Sequence, residues 1–252
     1  MSQLLWTSEE IALATGGKAS DPFWISGTIS IDTRTLMPGD LFVALQDQRD
    51  GHDFVEAAFK AGAAGALVSK PVAGGPTMMV DDVLVALEMM GIAARARSGA
   101  IRTAVTGSVG KTSVKEMLAR IYRAAGAAHC NVKSFNNHWG VPLTLARMPE
   151  ATERAVFEIG MSTPGEIAPR SLMVRPHIGI VTCIAGAHLE GLGSLEAVAD
   201  EKSDIFAGME AGGTFILPAD DAFLDRLSER ARTLCPTGNL ETFGVADDAT
   251  AR

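Results

Sequence analysis

Cysteine and tyrosine are scarce in this sequence, which has three cysteines and one tyrosine among 252 residues. Cys130, Cys183 and Cys235 are odd in number and far apart, so we do not expect a disulfide framework. None of them lies at the spacing from another cysteine or a histidine that a structural zinc site requires. The cysteines therefore indicate reduced thiols in a cytoplasmic protein without structural zinc.

Long hydrophobic runs and a surplus of positive charge are also missing. No run of about 18 apolar residues occurs, so no segment is expected to span a membrane. Residues 1–6 lack the basic and apolar regions of an export signal. The net charge of −8 argues against binding to nucleic acid or to an anionic membrane. Any anionic ligand must therefore be bound by local positive groups.

Residues 1–99 have the pattern of a small α/β domain. Thr7 and Glu10 form a capping box ahead of an apolar run, which predicts the first helix. Further along, strand and helix patterns alternate until about residues 98–99. The predicted helices cover 8–15, 54–61 and 83–97, and the predicted strands cover 25–32, 40–45, 65–69 and 77–80.

Residues 100–252 predict a second α/β domain. Its strand–helix order favours a doubly wound, mostly parallel sheet with helices on both faces. The predicted strands begin at 101 and cover 155–160, 177–184, 214–217 and 240–243; helices begin at Lys111 and cover 194–209 and 221–231. The helix from Lys111 has one apolar face, formed by Val114, Met117, Leu118, Ile121 and Tyr122.

The segment 104–113 is the most specific feature of the sequence. A strand ends, a glycine-flanked loop follows, and Lys111 and Thr112 begin an amphipathic helix. Backbone N–H groups of such a loop bind phosphate, a lysine reaches the outer phosphates, and a threonine hydroxyl ligates Mg²⁺. The generic phosphate-loop pattern expects glycine where Val105 stands, so only a short form of it is present. The alternative is an ordinary glycine-rich turn, but the strand before it and the helix after it favour phosphate binding.

Three ionisable side chains each allow two interpretations. Glu158 lies within an apolar run, and it either meets a metal at the end of a strand or points to solvent. His188 follows a buried strand, where α/β proteins bind ligands, but a lone loop histidine is more often simply exposed. Lys202 shares a helix face with Val198 and Ile205, so it either snorkels to water or is a functional, unprotonated amine.

Two polar segments are further candidates. Asn136 and Asn137 lie in a loop that enters a helix, where their amides suit a phosphate or carboxylate, although Asn-Asn also occurs in plain turns. In the first domain, the segment 30–34 ends a strand with hydroxyls, a carboxylate and a guanidinium. These groups suit a nucleotide base, ribose or diphosphate, or else form a solvated strand end with a surface ion pair.

Together these segments resemble the Mur ligase family along essentially the whole chain. Within the family, the chain is similar to the member that joins D-alanyl-D-alanine to UDP-N-acetylmuramoyl tripeptide. The missing glycine at Val105 is a feature of the family's version of the phosphate loop. The resemblance is carried by the segments 30–34, 38–44, 51–54, 106–112, 136–145, 158–167, 187–194 and 201–206.

The resemblance implies which residues bind each ligand. It implies that residues 1–99 bind the UDP substrate, with contacts from Ser30, Asp32, Thr33 and Arg34. It implies that residues 100–252 bind ATP through Gly107, Ser108, Val109, Gly110, Lys111, Thr112, Ser113, Asn136 and Asn137.

The resemblance also implies two Mg²⁺ sites. Thr112 and Glu158 would ligate the first ion beside the triphosphate. His188 would help to hold the second, together with Lys202, whose carbamylation turns an ammonium into a carboxylate-like ligand. The residues implied in catalysis are Lys111, Asn137, His188 and Lys202.

The implied reaction is ATP-driven amide formation through an acyl phosphate. Its partners are ATP, UDP-N-acetylmuramoyl tripeptide and D-alanyl-D-alanine, and a cytoplasmic monomer is expected. Mur ligases resemble one another in having three domains, and the resemblance implies that this sequence stops within the second. We therefore expect a truncated chain without the C-terminal ligase domain, which binds ligands but does not turn over alone.

Other functions stay open at this point. One is the Mur ligase that adds the third stem residue, which shares the fold and the UDP handle. Another is a non-catalytic module that binds a UDP-sugar or a nucleotide. A P-loop GTPase or ATPase switch is disfavoured because the sequence lacks an Asn-Lys-x-Asp motif.

Overall fold

The computed structural model describes residues 4–131, 135–186, 192–245 and 249–250. The chain forms two compact units. The first comprises Met1–Arg97 and Leu145–Glu150, and the second comprises Ser98–Thr144 and Ala151–Arg252. In the described part of the chain, every helix is too short or too polar to cross a bilayer.

The first unit contains a five-stranded sheet of order β2-β7-β6-β5-β4, and β1 pairs separately with β3. The pairs in the five-stranded sheet are parallel except β2–β7. The strands are β1 (Trp6–Thr7), β2 (Lys18–Ala19), β3 (Trp24–Ile25), β4 (Ile29–Ser30), β5 (Leu41–Val43), β6 (Gly65–Val68) and β7 (Thr77–Met79). The helices are α1 (Ser8–Thr15), α2 (Val55–Lys60), preceded by a 3-10 turn over Gly51–Phe54, and α3 (Val83–Arg97).

Helix α1 begins and ends where the sequence predicts. The Thr7 side chain accepts a hydrogen bond from the Glu10 backbone N–H, and the Glu10 carboxylate accepts one from the Thr7 N–H at 2.7 Å. This capping box satisfies N–H groups that the first helical turn leaves unpaired. Gly16 ends the helix with a φ of 69°, a left-handed conformation that glycine adopts without strain.

The predicted strand over 25–32 is interrupted in the structure. Ile25 ends β3, the chain turns, and β4 begins at Ile29. The turn is tight because a Cβ on Gly27 would lie 2.2 Å from Asp40 Oδ1. The buried Asp40 carboxylate accepts hydrogen bonds from the N–H groups of Thr28 and Met37 at 2.7 and 2.9 Å. A carboxylate from a distant turn therefore divides the alternating run into two strands.

The segment Leu145–Glu150 follows the predicted domain boundary in the sequence but packs with the first unit. The Trp6 indole Nε1 donates a hydrogen bond to the Ala146 carbonyl at 2.8 Å. The Arg147 Nε donates to the Ile29 carbonyl at 2.6 Å. These bonds join residues more than a hundred positions apart, so sequence pattern alone does not reveal them.

The second unit is built on a six-stranded sheet of order β13-β12-β11-β8-β10-β9, and all of its pairs are parallel. The predicted parallel α/β architecture is confirmed. The strands are β8 (Ile101–Thr106), β9 (Ala128–Cys130), β10 (Arg154–Glu158), β11 (Ile178–Val181), β12 (Thr214–Pro218) and β13 (Asn239–Phe243). The helices are α4 (Lys111–Ala125), α5 (Gly140–Ala146), α6 (Ile167–Val174), α7 (Leu195–Ser203) and α8 (Leu224–Leu234).

Side chains of the central strand β8 alternate between two helical layers. The Thr103 hydroxyl forms a 2.7 Å hydrogen bond with the Tyr122 hydroxyl of α4, and Val105 packs in a buried cluster with Ala119 of α4. Residues 103 and 105 therefore face α4. Residues 102, 104 and 106 must face the opposite side.

The opposite face of β8 is covered by α6. The buried Arg102 guanidinium donates hydrogen bonds to the carbonyls of Val174 and Arg175, at the end of α6. It also pairs with the Glu210 carboxylate at 2.9 Å. The sheet consequently has helices on both faces, as a doubly wound sheet requires.

The predicted apolar face of α4 is confirmed in part, because three of its five residues pack against the buried cluster of the sheet, namely Val114, Leu118 and Tyr122. Met117 and Ile121, both assigned to that face, are 64% and 62% exposed. Lys115 and Ala119 are instead buried against the sheet. A helix on a sheet buries only part of its circumference, and here that part is centred on the side of Ala119.

The predicted helix over 194–209 is shorter in the structure. Helix α7 ends at Ser203, and a 3-10 turn over Asp204–Phe206 follows. The Ser171 hydroxyl of α6 donates to the Ile205 carbonyl and accepts from the Gly208 N–H. These bonds direct the chain along α6, which a continuous helix could not follow.

The predicted helix over 221–231 begins later, at Leu224, and extends to Leu234. The Asp221 carboxylate explains the later start. It accepts hydrogen bonds from the Phe223 N–H at 2.9 Å and from the Ile184 N–H at 2.7 Å. Asp221 therefore holds a turn ahead of the helix and joins it to the end of a neighbouring strand.

A substitution at Gly208 tests how closely the chain after α7 packs on α6. A Cβ at Gly208 would lie 2.1 Å from the Ser171 carbonyl oxygen, whereas a Cβ at Gly99 has no neighbour within 4 Å. We expect Gly208→Ala to lower the free energy of unfolding by about 1–3 kcal/mol, because backbone atoms must move. Gly99→Ala is the matched control and should change it by less than about 0.5 kcal/mol. Urea unfolding would measure both, and equal stabilities would contradict the close packing.

Candidate nucleotide and metal site

The loop between β8 and α4 has two positions that require glycine, one because of close packing and backbone conformation and one because of backbone conformation alone. Gly107 has a φ of 141°, and a Cβ there would lie 1.9 Å from Thr182 Oγ1. Gly110, which precedes α4, has a φ of 87°. Both φ values are left-handed conformations that other residues rarely adopt. The glycines therefore permit a close turn that ends at the N-terminus of a helix, where backbone N–H groups bind anions.

The phosphate loop is held by the segment that follows β11. The Ser108 N–H donates to the Cys183 carbonyl and the Ser108 hydroxyl to the Ala185 carbonyl, each at 2.9 Å. The Thr182 hydroxyl donates to the Val109 carbonyl at 2.5 Å. The Val109 side chain is 66% exposed. Ser108 and Val109 thus fix the loop through their polar backbone and hydroxyl groups.

Lys111 begins α4 and turns back over the loop. Its Nζ donates hydrogen bonds to the carbonyls of Gly107 at 2.7 Å and Ser108 at 3.4 Å. Burial lowers the pKa of Lys111, and the negative charge of Glu158 partly opposes this effect. The ammonium therefore lies beside the loop between β8 and α4, where a phosphate oxygen can replace the two carbonyls as its hydrogen-bond partner. Ser113, the last predicted loop residue, is exposed on the first turn of α4.

Glu158 ends β10 and is only 1% exposed. Its Oε2 accepts a hydrogen bond from the Thr112 hydroxyl at 2.9 Å, and its Oε1 accepts one from the Asn136 amide at 2.7 Å. The Glu158 N–H donates to Asn131 Oδ1 at 2.7 Å. The interpretation as a solvent-facing strand edge is therefore wrong, since both carboxylate oxygens point to polar groups inside the protein.

The two neighbouring asparagines have different partners. Asn136 binds Glu158, and its carbonyl accepts the Gly160 N–H at 3.0 Å. Asn137 Oδ1 accepts the Gly140 N–H at 2.9 Å, at the start of α5. Asn136 thus contacts the buried carboxylate directly, while the Asn137 amide oxygen caps a helix.

Lys202 lies on α7 and is 1% exposed, so it does not snorkel to solvent. Burial lowers its pKa to about 8, and the positive charge of Lys111 adds to this shift. The neighbouring Glu201 carboxylate accepts N–H groups of Gly165, Glu166 and Ile167 at 2.8–3.2 Å, at the start of α6. The structure thus has a buried lysine whose lowered pKa favours the neutral amine, on a helix that hydrogen bonds fix to α6. His188 lies outside the described residues.

The oxygen ligands present suit Mg²⁺. Thr112 and Glu158 supply a hydroxyl and a carboxylate beside the loop, and Mg²⁺ prefers one or two such protein ligands together with phosphate oxygens and water. Among the described residues, no group of three or more histidine, cysteine, aspartate or glutamate side chains gathers around a point.

The candidate substrate segment of the first unit forms a compact turn. The buried Ser30 hydroxyl donates to the Asp32 carbonyl at 3.0 Å. The Arg34 guanidinium binds both Asp32 carboxylate oxygens, with a shortest distance of 2.6 Å, and this raises the pKa of Arg34. Thr33 is half-buried between them. The turn presents an exposed guanidinium on a fixed backbone.

Sequence reasoning missed two residues that shape the site. Asn131 is 1% exposed and joins Glu158 to the Phe135 carbonyl, which its amide contacts at 2.5 Å. Thr182 contacts the phosphate loop. Thr182 lies near the end of a predicted buried strand, and α/β proteins bind ligands at the carboxyl ends of strands, so the sequence contained a signal for Thr182. Asn131 follows β9, a strand that the sequence did not predict, so the sequence contained no such signal for Asn131.

Comparisons with known proteins show which family this chain is similar to. The family model described as the Mur ligase middle domain matches residues 105–251. A UDP-N-acetylmuramoyl-tripeptide–D-alanyl-D-alanine ligase of Rickettsia prowazekii is 33% identical over 252 residues, covering 99% of this chain and 56% of that protein. The enzyme of the same name from Escherichia coli is 44% identical over 196 residues, covering 77% of this chain and 43% of that protein.

A crystal structure of MurF from Acinetobacter baumannii is similar in fold, with a TM-score of 0.84 and 30% identity. The similarity covers 96% of this chain and 54% of that one. The chain thus spans about half the length of the curated relatives it matches. Because the family model covers more than half of the sequence, the chain belongs to the Mur ligase family.

Proposed function

We propose that this chain carries the ATP-binding and UDP-substrate-binding parts of a ligase that adds D-alanyl-D-alanine to UDP-N-acetylmuramoyl tripeptide. The relatives named for this reaction support the proposal. The single observation that carries it is the contact of Glu158 with Thr112, which places a buried carboxylate beside the phosphate loop.

The loop Gly107–Ser113 would bind the triphosphate. Its glycines let the backbone approach the phosphates, and the N-terminus of α4 favours negative charge. Lys111 would exchange its contacts with the Gly107 and Ser108 carbonyls for phosphate oxygens. Its ammonium would then neutralise charge that develops as the outer phosphate is transferred.

Thr112 and Glu158 would hold the first Mg²⁺. The ion would supply positive charge beside the phosphates during transfer. Glu158 is fixed for this role from two sides, because Asn136 holds one carboxylate oxygen and Asn131 holds its N–H. We assign Asn136 to the orientation of this carboxylate and Asn137 to the region of the γ-phosphate.

Lys202 would serve the second Mg²⁺ after carbamylation. Its neutral amine attacks the carbon of CO₂, a C=O electron pair moves to oxygen, and the amine proton leaves to solvent. The product carries the negative charge that a buried ammonium lacks, and Mg²⁺ prefers such oxygen ligands. The role of His188 at the same ion rests on the family resemblance alone.

In the first unit, residues 1–99 would bind the UDP moiety through Ser30, Asp32, Thr33 and Arg34. Arginine suits this task because its planar guanidinium binds phosphate oxygens in pairs. The Asp32 carboxylate holds Arg34 in place at the surface.

The proposed reaction has two steps. The tripeptide carboxylate attacks the γ-phosphorus of ATP, which forms an acyl phosphate and releases ADP. The amine of D-alanyl-D-alanine then attacks the acyl carbon and a tetrahedral intermediate forms. The nitrogen loses a proton to solvent, and phosphate leaves with the electron pair of the broken C–O bond. The positive groups around the loop would make the first step possible in a protein with a net charge of −8, because they act locally.

Isothermal titration tests the proposed function. We expect ADP with Mg²⁺ and UDP-N-acetylmuramoyl tripeptide to bind at separate sites, each without excluding the other. Arg34→Ala should weaken the UDP ligand about tenfold and leave ADP unchanged, because one charge-assisted contact is lost. Lys60→Ala, at an exposed ion pair of the same unit, is the control. A wild-type chain that binds neither ligand would overturn the proposal.

Glu158→Gln tests the first Mg²⁺ site. Glutamine keeps the shape of the side chain but removes the charge, so ADP affinity in the presence of Mg²⁺ should fall at least about tenfold. ADP affinity without Mg²⁺ should change by less than about threefold. Glu229→Gln, on the exposed side of α8, controls for the loss of one negative charge. An equal loss of affinity without Mg²⁺ would argue against a metal-binding role.

The Lys202 carbamate should depend on pH. Since burial lowers the pKa of Lys202 to about 8 from 10.5, its neutral amine forms as the pH rises through about 8. With ¹³C-bicarbonate, NMR should show a carbamate signal that grows between about pH 7 and pH 9. The signal should vanish in Lys202→Met. A signal that persists in this variant, or its absence from the wild type, would contradict the assignment.

A further inference from the structure

The Thr106 hydroxyl is a buried polar group without a hydrogen-bond partner. Among the described residues, three buried side-chain nitrogen or oxygen atoms lack a partner, and the other two are the Nε atoms of Arg97 and Arg230. Those arginines form hydrogen bonds through their other nitrogens. The hydroxyl is the only polar group of the Thr106 side chain, and the residue is 0% exposed. Buried polar groups are normally paired, so this one needs an explanation.

The position of Thr106 connects it to the nucleotide site. It is the last residue of β8 and directly precedes Gly107. Its carbonyl accepts the Thr182 N–H at 2.9 Å, so its backbone is fixed to the segment that holds the phosphate loop. The hydroxyl therefore lies at the edge of the sheet where ligands of α/β proteins bind.

The face of the sheet on which Thr106 lies is set by alternation along β8. Thr103 and Val105 face α4, so Thr106 faces the opposite side with Arg102. That side is covered by α6 and by the 3-10 turn after α7, whose Phe206 packs against Gly179 of β11. Glu158 lies on the α4 side, where it contacts Thr112. Thr106 thus shares its side of the sheet with the segment that carries Lys202.

We propose that the Thr106 hydroxyl is an additional binding group of this site, which donates a hydrogen bond to an oxyanion on the Lys202 side of β8. The inference rests on the proposed function. Two sources supply an oxygen of this chemistry, namely the γ-phosphate of ATP and the carbamate of Lys202. In either case the folded chain keeps a hydroxyl unpaired until the anion is present, and pairing then favours the bound state.

Isosteric variants of two threonines on β8 test this inference. Thr106→Val removes a hydroxyl that is unpaired in the ligand-free chain, so its melting temperature should equal or exceed that of the wild type. Thr103→Val is the matched control, because it leaves the buried Tyr122 hydroxyl without its partner. We expect this control to lower the melting temperature but to preserve ligand binding. Thr106→Ser keeps the hydroxyl and should bind like the wild type.

Two binding measurements separate the sources of the oxyanion. One is titration with Mg²⁺ and either ADP or a non-hydrolysable ATP analogue, and the other is the ¹³C carbamate signal of Lys202. If the γ-phosphate is the partner, Thr106→Val should weaken the ATP analogue about tenfold and leave ADP unchanged. If the carbamate is the partner, the variant should lower carbamate occupancy about tenfold at equal pH and CO₂.

The outcomes distinguish the inference from the proposed function. If the wild type binds the ATP analogue and forms the carbamate, and Thr106→Val does both equally well, the inference is overturned and the proposed function stands. If the wild type does neither, the proposed function fails and the inference fails with it. A Thr106→Val variant that melts well below the wild type would also overturn the inference, since its hydroxyl would then stabilise the ligand-free fold.

Discussion

The parallel pairing of β8 with β10 on one side and β11 on the other is the constraint on which the site depends. In this register Glu158 lies opposite Val105, and Val181 lies opposite Thr106. Because the strands run in one direction, their carboxyl ends meet at one edge of the sheet. The phosphate loop leaves from this edge and passes next to Thr182, which is possible only because Gly107 has no side chain. Gly107, Lys111, Thr112 and Glu158 are positioned directly from this junction.

The central strand also separates two kinds of charged group. On the α4 side, Glu158 is buried as a carboxylate whose oxygens are satisfied by a hydroxyl and an amide. On the α6 side, Lys202 is buried as an amine whose positive charge is disfavoured by burial. A buried carboxyl group with hydrogen-bond partners and a lysine whose pKa is lowered by burial are both suited to a site that binds cations.

The segment that carries Lys202 is fixed to α6 at several points. Glu201 accepts three N–H groups at the start of α6, and Ser171 bonds with the chain near Ile205 and Gly208. Since α6 follows the loop after Glu158, these bonds connect the segment of Lys202 to the part of the chain that leaves β10. Close-packed protein interiors have low compressibility, so this packing holds the segment of Lys202 in a fixed position.

The sequence by itself determined the features that depend on local patterns. The capping box of Thr7 and Glu10 placed α1, and the strand–helix order of residues 100–252 predicted the parallel sheet. The strand–loop–helix pattern around Lys111 predicted the phosphate loop. The tertiary structure alone decided that Asp40 divides a predicted strand, that Met117 is exposed, that Asn136 contacts Glu158 while Asn137 caps a helix, and that Thr106 is buried without a partner. Apart from the Asn137 cap, whose partner Gly140 is three residues away, each of these depends on residues that are distant in the sequence. Burial and hydrogen bonding are set by what packs against a side chain, and local periodicity does not identify that neighbour.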